Sequence, residues 1–140
     1  MLVHNGYAFR DKPKYAPDPK KWEKKGGKVE VLEDGTWRYT DWEGNVVDYV
    51  NGYPVFKIPD HARQNVDIGK QKGNHTTDYT MAEKNSNLDP PKLSNQQTTW
   101  HHHEDGKTMQ EVDRKIHNRF THQGGVSQVK KNKVGIKKRK

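Results

Sequence analysis

Cysteine is absent from all 140 residues. Disulfides are thereby excluded, and so is any thiolate metal site, which leaves imidazole and carboxylate groups to hold a transition metal. Long apolar runs are missing too. No stretch approaches the roughly 18 consecutive apolar residues a membrane span needs, and the opening Met1-Leu2-Val3-His4-Asn5-Gly6 has no signal-peptide hydrophobic region. Apolar residues make up only 29% of the chain, enough for one small domain with much of its length at the surface. The chain reads as soluble and as the excised end of a longer protein.

What is present in excess is positive charge, and it is unevenly placed. Residues 1–97 hold 15 Lys and Arg against 14 Asp and Glu, whereas residues 98–140 hold 11 against 4. Clustered positive charge is the electrostatic footprint of a phosphate-backbone partner, although a solubilising tail would look the same. Within the last stretch, Lys130, Lys131 and Lys133 belong to a basic tail over 128–140 that can hold a nucleic-acid backbone without reading bases.

Residues 1–26, rich in Pro, Lys and Gly, read as a linker or peripheral arm. A change follows at Lys28, where Val29, Val31, Trp37 and Tyr39 alternate with polar residues around Asp34-Gly35, a two-residue hairpin signal. Asn51-Gly52 is a second such signal, and Tyr53-Pro54-Val55-Phe56 predicts a strand confined to an edge by its proline. The pattern predicts a β-meander over 28–58, with Trp37, Tyr39, Trp42, Tyr49 and Phe56 in its core. Residues 59–97 are mostly polar and carry one predicted helix, Asp78 to Asn85, capped by Asp78.

Five of the eight histidines fall between residues 101 and 122. Thr98-Thr99-Trp100 is β-prone, Asp105-Gly106 is a type I′ turn pair, and Thr108 to Val112 can return as a second strand with Glu111 at its surface. Asp113 can cap a helix from Arg114 to about Phe120, stopped by Gly124-Gly125. Strand, turn, strand and helix can then bring His101 to His103 next to His117 and His122, so that three imidazoles meet one divalent metal ion and one remains as a base. Phosphodiester hydrolysis needs those parts. On a regular strand His101 and His103 share a face and His102 points away, so either His102 or His103 can be the base. Five residues separate His117 from His122, about 140° around an ideal helix, so either His122 lies beyond the helix or the last turn widens. Arg114, Lys115 and Arg119 can face phosphate. His4, His61 and His75 stand apart and read as structural or exposed.

The run Thr99-Trp100-His101-His102, followed by Asp105-Gly106-Lys107-Thr108-Met109-Gln110, Val112, His117, His122 and Gly124-Gly125, resembles the WHH branch of the HNH/endonuclease VII superfamily. Members of that branch occur as C-terminal toxin domains of bacterial polymorphic toxins, including LXG-type toxins exported by type VII secretion. Residues 27–127 fall within the resemblance. It implies an α+β fold, a β-meander followed by a ββα-metal motif over 98–125, and a metal-dependent endonuclease of low sequence specificity. It also implies His101, His117 and His122 as metal ligands, His102 as general base with His103 the alternative, and Gln110 in the place of the central Asn. An imidazole site suits Zn, Ni or Mn, and Mg remains open through its availability in cells. DNA is the expected substrate and RNA the close alternative; a non-catalytic nucleic-acid-binding module with a structural metal is the competing class. A toxin of this kind further implies export from the producing bacterium within a larger protein, action in the target-cell cytoplasm, and a cognate, acidic immunity protein.

Overall fold

A computed structural model describes residues 12–121, together with the antiparallel backbone pairing of β1 (Val3–His4) with β2 (Tyr7–Ala8). The architecture is α+β with antiparallel sheets. His122 and the tail residues Lys130, Lys131 and Lys133 lie outside the described residues. Two units are distinguished among the described residues: one runs through Phe56 and takes in Phe120 and Thr121, and the other spans Lys57–Arg119. That boundary lies inside the span 27–127 read above as one domain.

In the first unit, helix α1 (Pro19–Lys24) leads into a four-stranded sheet ordered β3 (Lys28–Val31), β4 (Trp37–Thr40), β5 (Val46–Val50) and β6 (Tyr53–Val55). Alternation buries Val29, Val31, Trp37, Tyr39, Val47 and Tyr49 on one face, and Pro54 sits on the edge strand where no ladder hydrogen bond is forfeited. Phe56 is buried as expected, but Trp42 is 40% exposed. It occupies the turn between β4 and β5, where its ring lies against Trp22 at 5.1 Å and takes Lys25 Nζ over its face.

Residues 12–26 are more than an arm. Asp18 caps α1 by accepting from the N–H of Lys20 and Lys21, with Pro19 at the first helical position where its missing N–H costs nothing. Tyr15, Ala16 and Trp22 are buried. Trp22 packs on Tyr39 and Phe120 and donates from Nε1 to the Thr40 carbonyl at 2.8 Å, while Tyr39 Oη donates to the Pro17 carbonyl. Gly27 permits this approach, since a Cβ there would stand 2.4 Å from Trp22 Nε1. Tyr15, Ala16 and Trp22 carry the burial of this segment at irregular spacing, so no hydrophobic period advertises it.

Of the three turn signals, Asn51-Gly52 alone has both residues at positive φ and closes directly between the paired Val50 and Tyr53. At Asp34-Gly35 and Asp105-Gly106 the positive φ belongs to glycine only, and the loops are longer than two residues. The aspartate explains the difference. Asp34 Oδ1 accepts from Thr36 N–H, and Asp105 Oδ1 accepts from Lys107 and Thr108 N–H, so each carboxylate closes a turn two residues ahead.

The second unit has a three-stranded sheet ordered β7 (Ala62–Asp67), β9 (Thr108–Asp113) and β8 (Thr98–His102), with helices α2 (His75–Asn85) and α3 (Arg114–Phe120). Strand β7 was not expected. Its inward positions are Ala62, Gln64 and Val66, and the central glutamine hides the alternation. Helix α2 also begins earlier than expected: Asn74 caps it by accepting from Thr77 N–H, and Asp78 lies buried inside the first turn. Asp113 caps α3 through Ile116 N–H.

Glu111, expected at the strand surface, is fully buried. A bulge between Ala62 and Gln64 turns Arg63 toward it, and the guanidinium bonds both carboxylate oxygens at 3.0 and 3.3 Å. Gln64 Nε2, Thr98 Oγ1 and Leu93 N–H donate to the same carboxylate. Burial alone would raise its pKa, but these donors and the Arg63 charge hold it below the ordinary value.

Two outcomes test this packing. Trp22→Ala should destabilise the chain by about 3–5 kcal/mol in urea unfolding, where a peripheral side chain would cost under about 0.5. Because the folded pKa of Glu111 is depressed, its contribution is complete above the ordinary carboxylate value of 4.5 and fades as pH falls through the folded one. Glu111→Gln should therefore lower stability at pH 7 by about 3 kcal/mol and flatten the acid limb of the stability–pH curve.

Candidate active site

The register of β8 against β9 organises the site. His101 lies opposite Gln110, which lies opposite Asn65 on β7; His102 lies opposite Met109, which lies opposite Val66. Cross-strand partners share a face and adjacent residues do not. Asn65, Gln110 and His101 thus form a row on one face, and Val66, Met109 and His102 form the next row on the other. Trp100 shares the second face, within a core cluster of Val66, Ile68, Ala82 and Met109 bordered by Tyr79, and its Nε1 donates to Glu83 on α2.

On the first face His101 meets α3. His101 Nδ1 and His117 Nε2 are 3.1 Å apart, with ring centroids at 5.0 Å. Burial, and then the neighbouring His117, His103 and His102 rings, holds His101 well below the ordinary imidazole pKa. Burial brings His117 down to about 4, with His102 and His75 adding to the lowering against a hydrogen bond that the imidazole donates to Asn118. Both imidazoles are neutral near pH 7, the form in which histidine binds a metal.

The spacing also fits. Two nitrogens on a tetrahedral ion at the usual zinc–imidazole distance stand about 3.3 Å apart, close to what His101 and His117 already adopt. Among the described residues, no group of three or more His, Asp or Glu side chains is arranged to hold a metal ion. The third expected ligand, His122, falls outside those residues; α3 ends at Phe120, two residues before it.

On the second face His102, 3% exposed, meets α2. Its Nε2 is 2.9 Å from Asp78 Oδ2, and Asp78 accepts in addition from the N–H groups of Lys72 and Gly73. An ionised carboxylate only accepts hydrogen bonds, so Nε2 carries a proton facing Asp78, and the neutral ring then has its lone pair on Nδ1. Burial would raise the Asp78 pKa, but the Lys72, His102 and Gly73 donors keep it below the ordinary value. His75 and Tyr79, one turn apart on α2, stack on each other with their rings 5.5 and 6.0 Å from His102.

His103, the alternative base, lies beyond the end of β8. Its Nδ1 accepts from Asp105 N–H, and its side chain faces Glu104 and Asp105. Gln110 is buried beside His101 and donates to Asn65 Oδ1 at 2.9 Å. Arg114, at the exposed start of α3, donates to the Asn95 carbonyl; Lys115 is exposed and Arg119 partly so.

Two residues of this neighbourhood went unrecognised in the sequence. The sequence presents Asp78 as a helix cap and His75 as an isolated histidine. The three-residue spacing from His75 to Asp78, which puts both on one side of a first helical turn, was the available signal.

Residues 89–132 match a family model described as a nuclease of the HNH/ENDO VII superfamily with conserved WHH. The matched span contains Trp100, His101, His102 and both later histidines. A comparison with curated proteins returned no match.

Calorimetric titration with Zn²⁺ or Ni²⁺ should separate these histidines. His101→Ala and His117→Ala should each weaken uptake by roughly 10-fold or more, whereas His103→Ala should leave it near wild type. Equal losses in all three variants would count against the paired site.

Proposed function

We propose that this chain, whose residues 89–132 match the family model of WHH nucleases of the HNH/ENDO VII superfamily, is a metal-dependent endonuclease that cuts DNA with little sequence specificity. One observation carries the reading: two adjacent histidines at the end of β8 are divided between two helices. His101 is set against a second neutral imidazole at ligand spacing, and His102 is set against a carboxylate. A ligand pair and a separate base are what phosphodiester hydrolysis requires.

His101 and His117 would hold a divalent ion of the Mg, Mn, Zn or Ni class, with His122 as third ligand. When bound, such an ion supplies positive charge to the phosphate and the leaving oxygen. The protein's own part is proton transfer and positioning. His102 accepts at Nδ1 the proton of a water that attacks phosphorus in line; the P–O3′ bond breaks, leaving a 5′-phosphate and a 3′-hydroxyl that takes its proton from solvent. Gln110, tied to Asn65, steadies the row that holds His101. Arg114, Lys115, Arg119 and the basic tail with Lys130, Lys131 and Lys133 contact the backbone in a salt-dependent way.

The uneven charge and the family resemblance support a wider setting. The domain acts as the toxic end of a larger protein exported by a bacterium, works in the target-cell cytoplasm, and is blocked in the producer by an acidic immunity protein.

The test is cleavage of supercoiled plasmid and of a structured RNA with Mg²⁺, Mn²⁺, Zn²⁺, Ni²⁺ or EDTA. Nicking of plasmid that EDTA abolishes, and that His102→Ala reduces by roughly 10²-fold or more while His103→Ala does not, is the expected result. Cleavage of RNA alone would change the substrate, and binding without cleavage of either would end the catalytic reading.

A further inference from the structure

We propose that Asp78 is the positioning residue of this active site: fixed by the consecutive backbone N–H groups of Lys72 and Gly73, it holds the His102 imidazole by Nε2 and directs Nδ1 to the reacting water. This rests on His102 being the base, and it extends the active site beyond the matched segment into α2.

The geometry departs from an ordinary buried ion pair. Asp78 is 1% exposed and His102 is 3% exposed, and they approach from elements 24 residues apart in sequence. Three donors converge on the one carboxylate. Lys72 N–H lies 3.0 and 3.1 Å from its two oxygens, Gly73 N–H lies 3.0 Å from Oδ2, and His102 Nε2 lies 2.9 Å from the same Oδ2. The backbone contacts remove the carboxylate's rotational freedom, so its one side-chain partner is held in a fixed direction. The ring then has a single neutral tautomer available, with the proton on the nitrogen facing Asp78.

His102 belongs to the matched WHH run, but the group that orients it lies at residue 78, ahead of where the match begins. Asp78 need not touch substrate to act. In a base held this way, replacing the carboxylate by its amide allows the wrong tautomer, with the lone pair turned toward the amide and away from the water.

The experiment uses the full chain and two readouts. Long-range ¹H–¹⁵N spectra of the imidazoles should show wild-type His102 protonated at Nε2, with that signature lost or mixed in Asp78→Asn. In plasmid nicking, Asp78→Asn should lower kcat by roughly 10²–10⁴-fold while KM for DNA and Zn²⁺ uptake stay near wild type. In the His102→Ala background the same substitution should cost nothing further, because the two residues act as one unit. A structural role would instead add its effect in both backgrounds.

Protonation of wild-type His102 at Nδ1, or a folded Asp78→Asn chain with wild-type kcat, overturns the proposal. Should Asp78→Asn fail to fold, the wild-type spectrum still decides the tautomer. A wild-type chain that shows the Nε2 proton yet cuts neither DNA nor RNA would end the nuclease reading and leave the coupling of Asp78 to His102 standing.

Discussion

Side chains along a β-strand must alternate, and the site depends on that constraint more than on any single contact. Two consecutive histidines on β8 cannot share an environment. His101 is driven to the face that carries Gln110 and α3, and His102 to the face that carries Met109 and α2. Two identical side chains thus acquire different chemistry without any difference in composition. One is paired with an imidazole and kept neutral by burial, and the other is bonded to a carboxylate. A helix carrying the same pair would set the two only about 100° apart, too little to give them opposite surroundings.

The alternation matters only if β8 is held in register, and much of that task falls to buried polar groups. Thr98 starts β8, and its hydroxyl is bonded to Glu111. Glu111 also gathers Arg63, Gln64 and the Leu93 N–H, so the irregular segment between α2 and β8 is tied to the sheet by a carboxylate instead of by apolar packing. A chain with so little hydrophobic content has few alternatives. The desolvation of Glu111 is offset because its oxygens find several donors, one of them charged.

Legibility in the sequence followed the physical origin of each element. Strands β8 and β9 and helix α3 were readable because their signals are local: β-branched residues, a glycine turn, and an aspartate cap. The meander was readable for the same reason, down to the edge position forced by Pro54. Strand β7 was not, since its inward Gln64 is satisfied by Glu111, the Pro91 carbonyl and the Ser86 hydroxyl, all distant in sequence. Glu111 and Asp78 were misplaced alike: a carboxylate suggests surface or cap until its donors are known, and those donors come from the bulge at Arg63 and the loop at Lys72-Gly73. Trp42 failed in the opposite sense, because an aromatic in a turn can rest its ring on a neighbour and still face water. At the site, the pairing of His101 with His117 was foreseeable from element order, whereas the partner of His102 required the three-dimensional path of α2.

The rows across the sheet also limit how such a gene could change by insertion or deletion. Adding or removing one residue between Thr98 and His101 would send each histidine to the other's face, exchanging an imidazole-paired environment for a carboxylate-bound one. A substitution in the same stretch alters one contact, but a change of length scrambles both. Drift in this segment can therefore proceed in composition one contact at a time, while its length is effectively frozen.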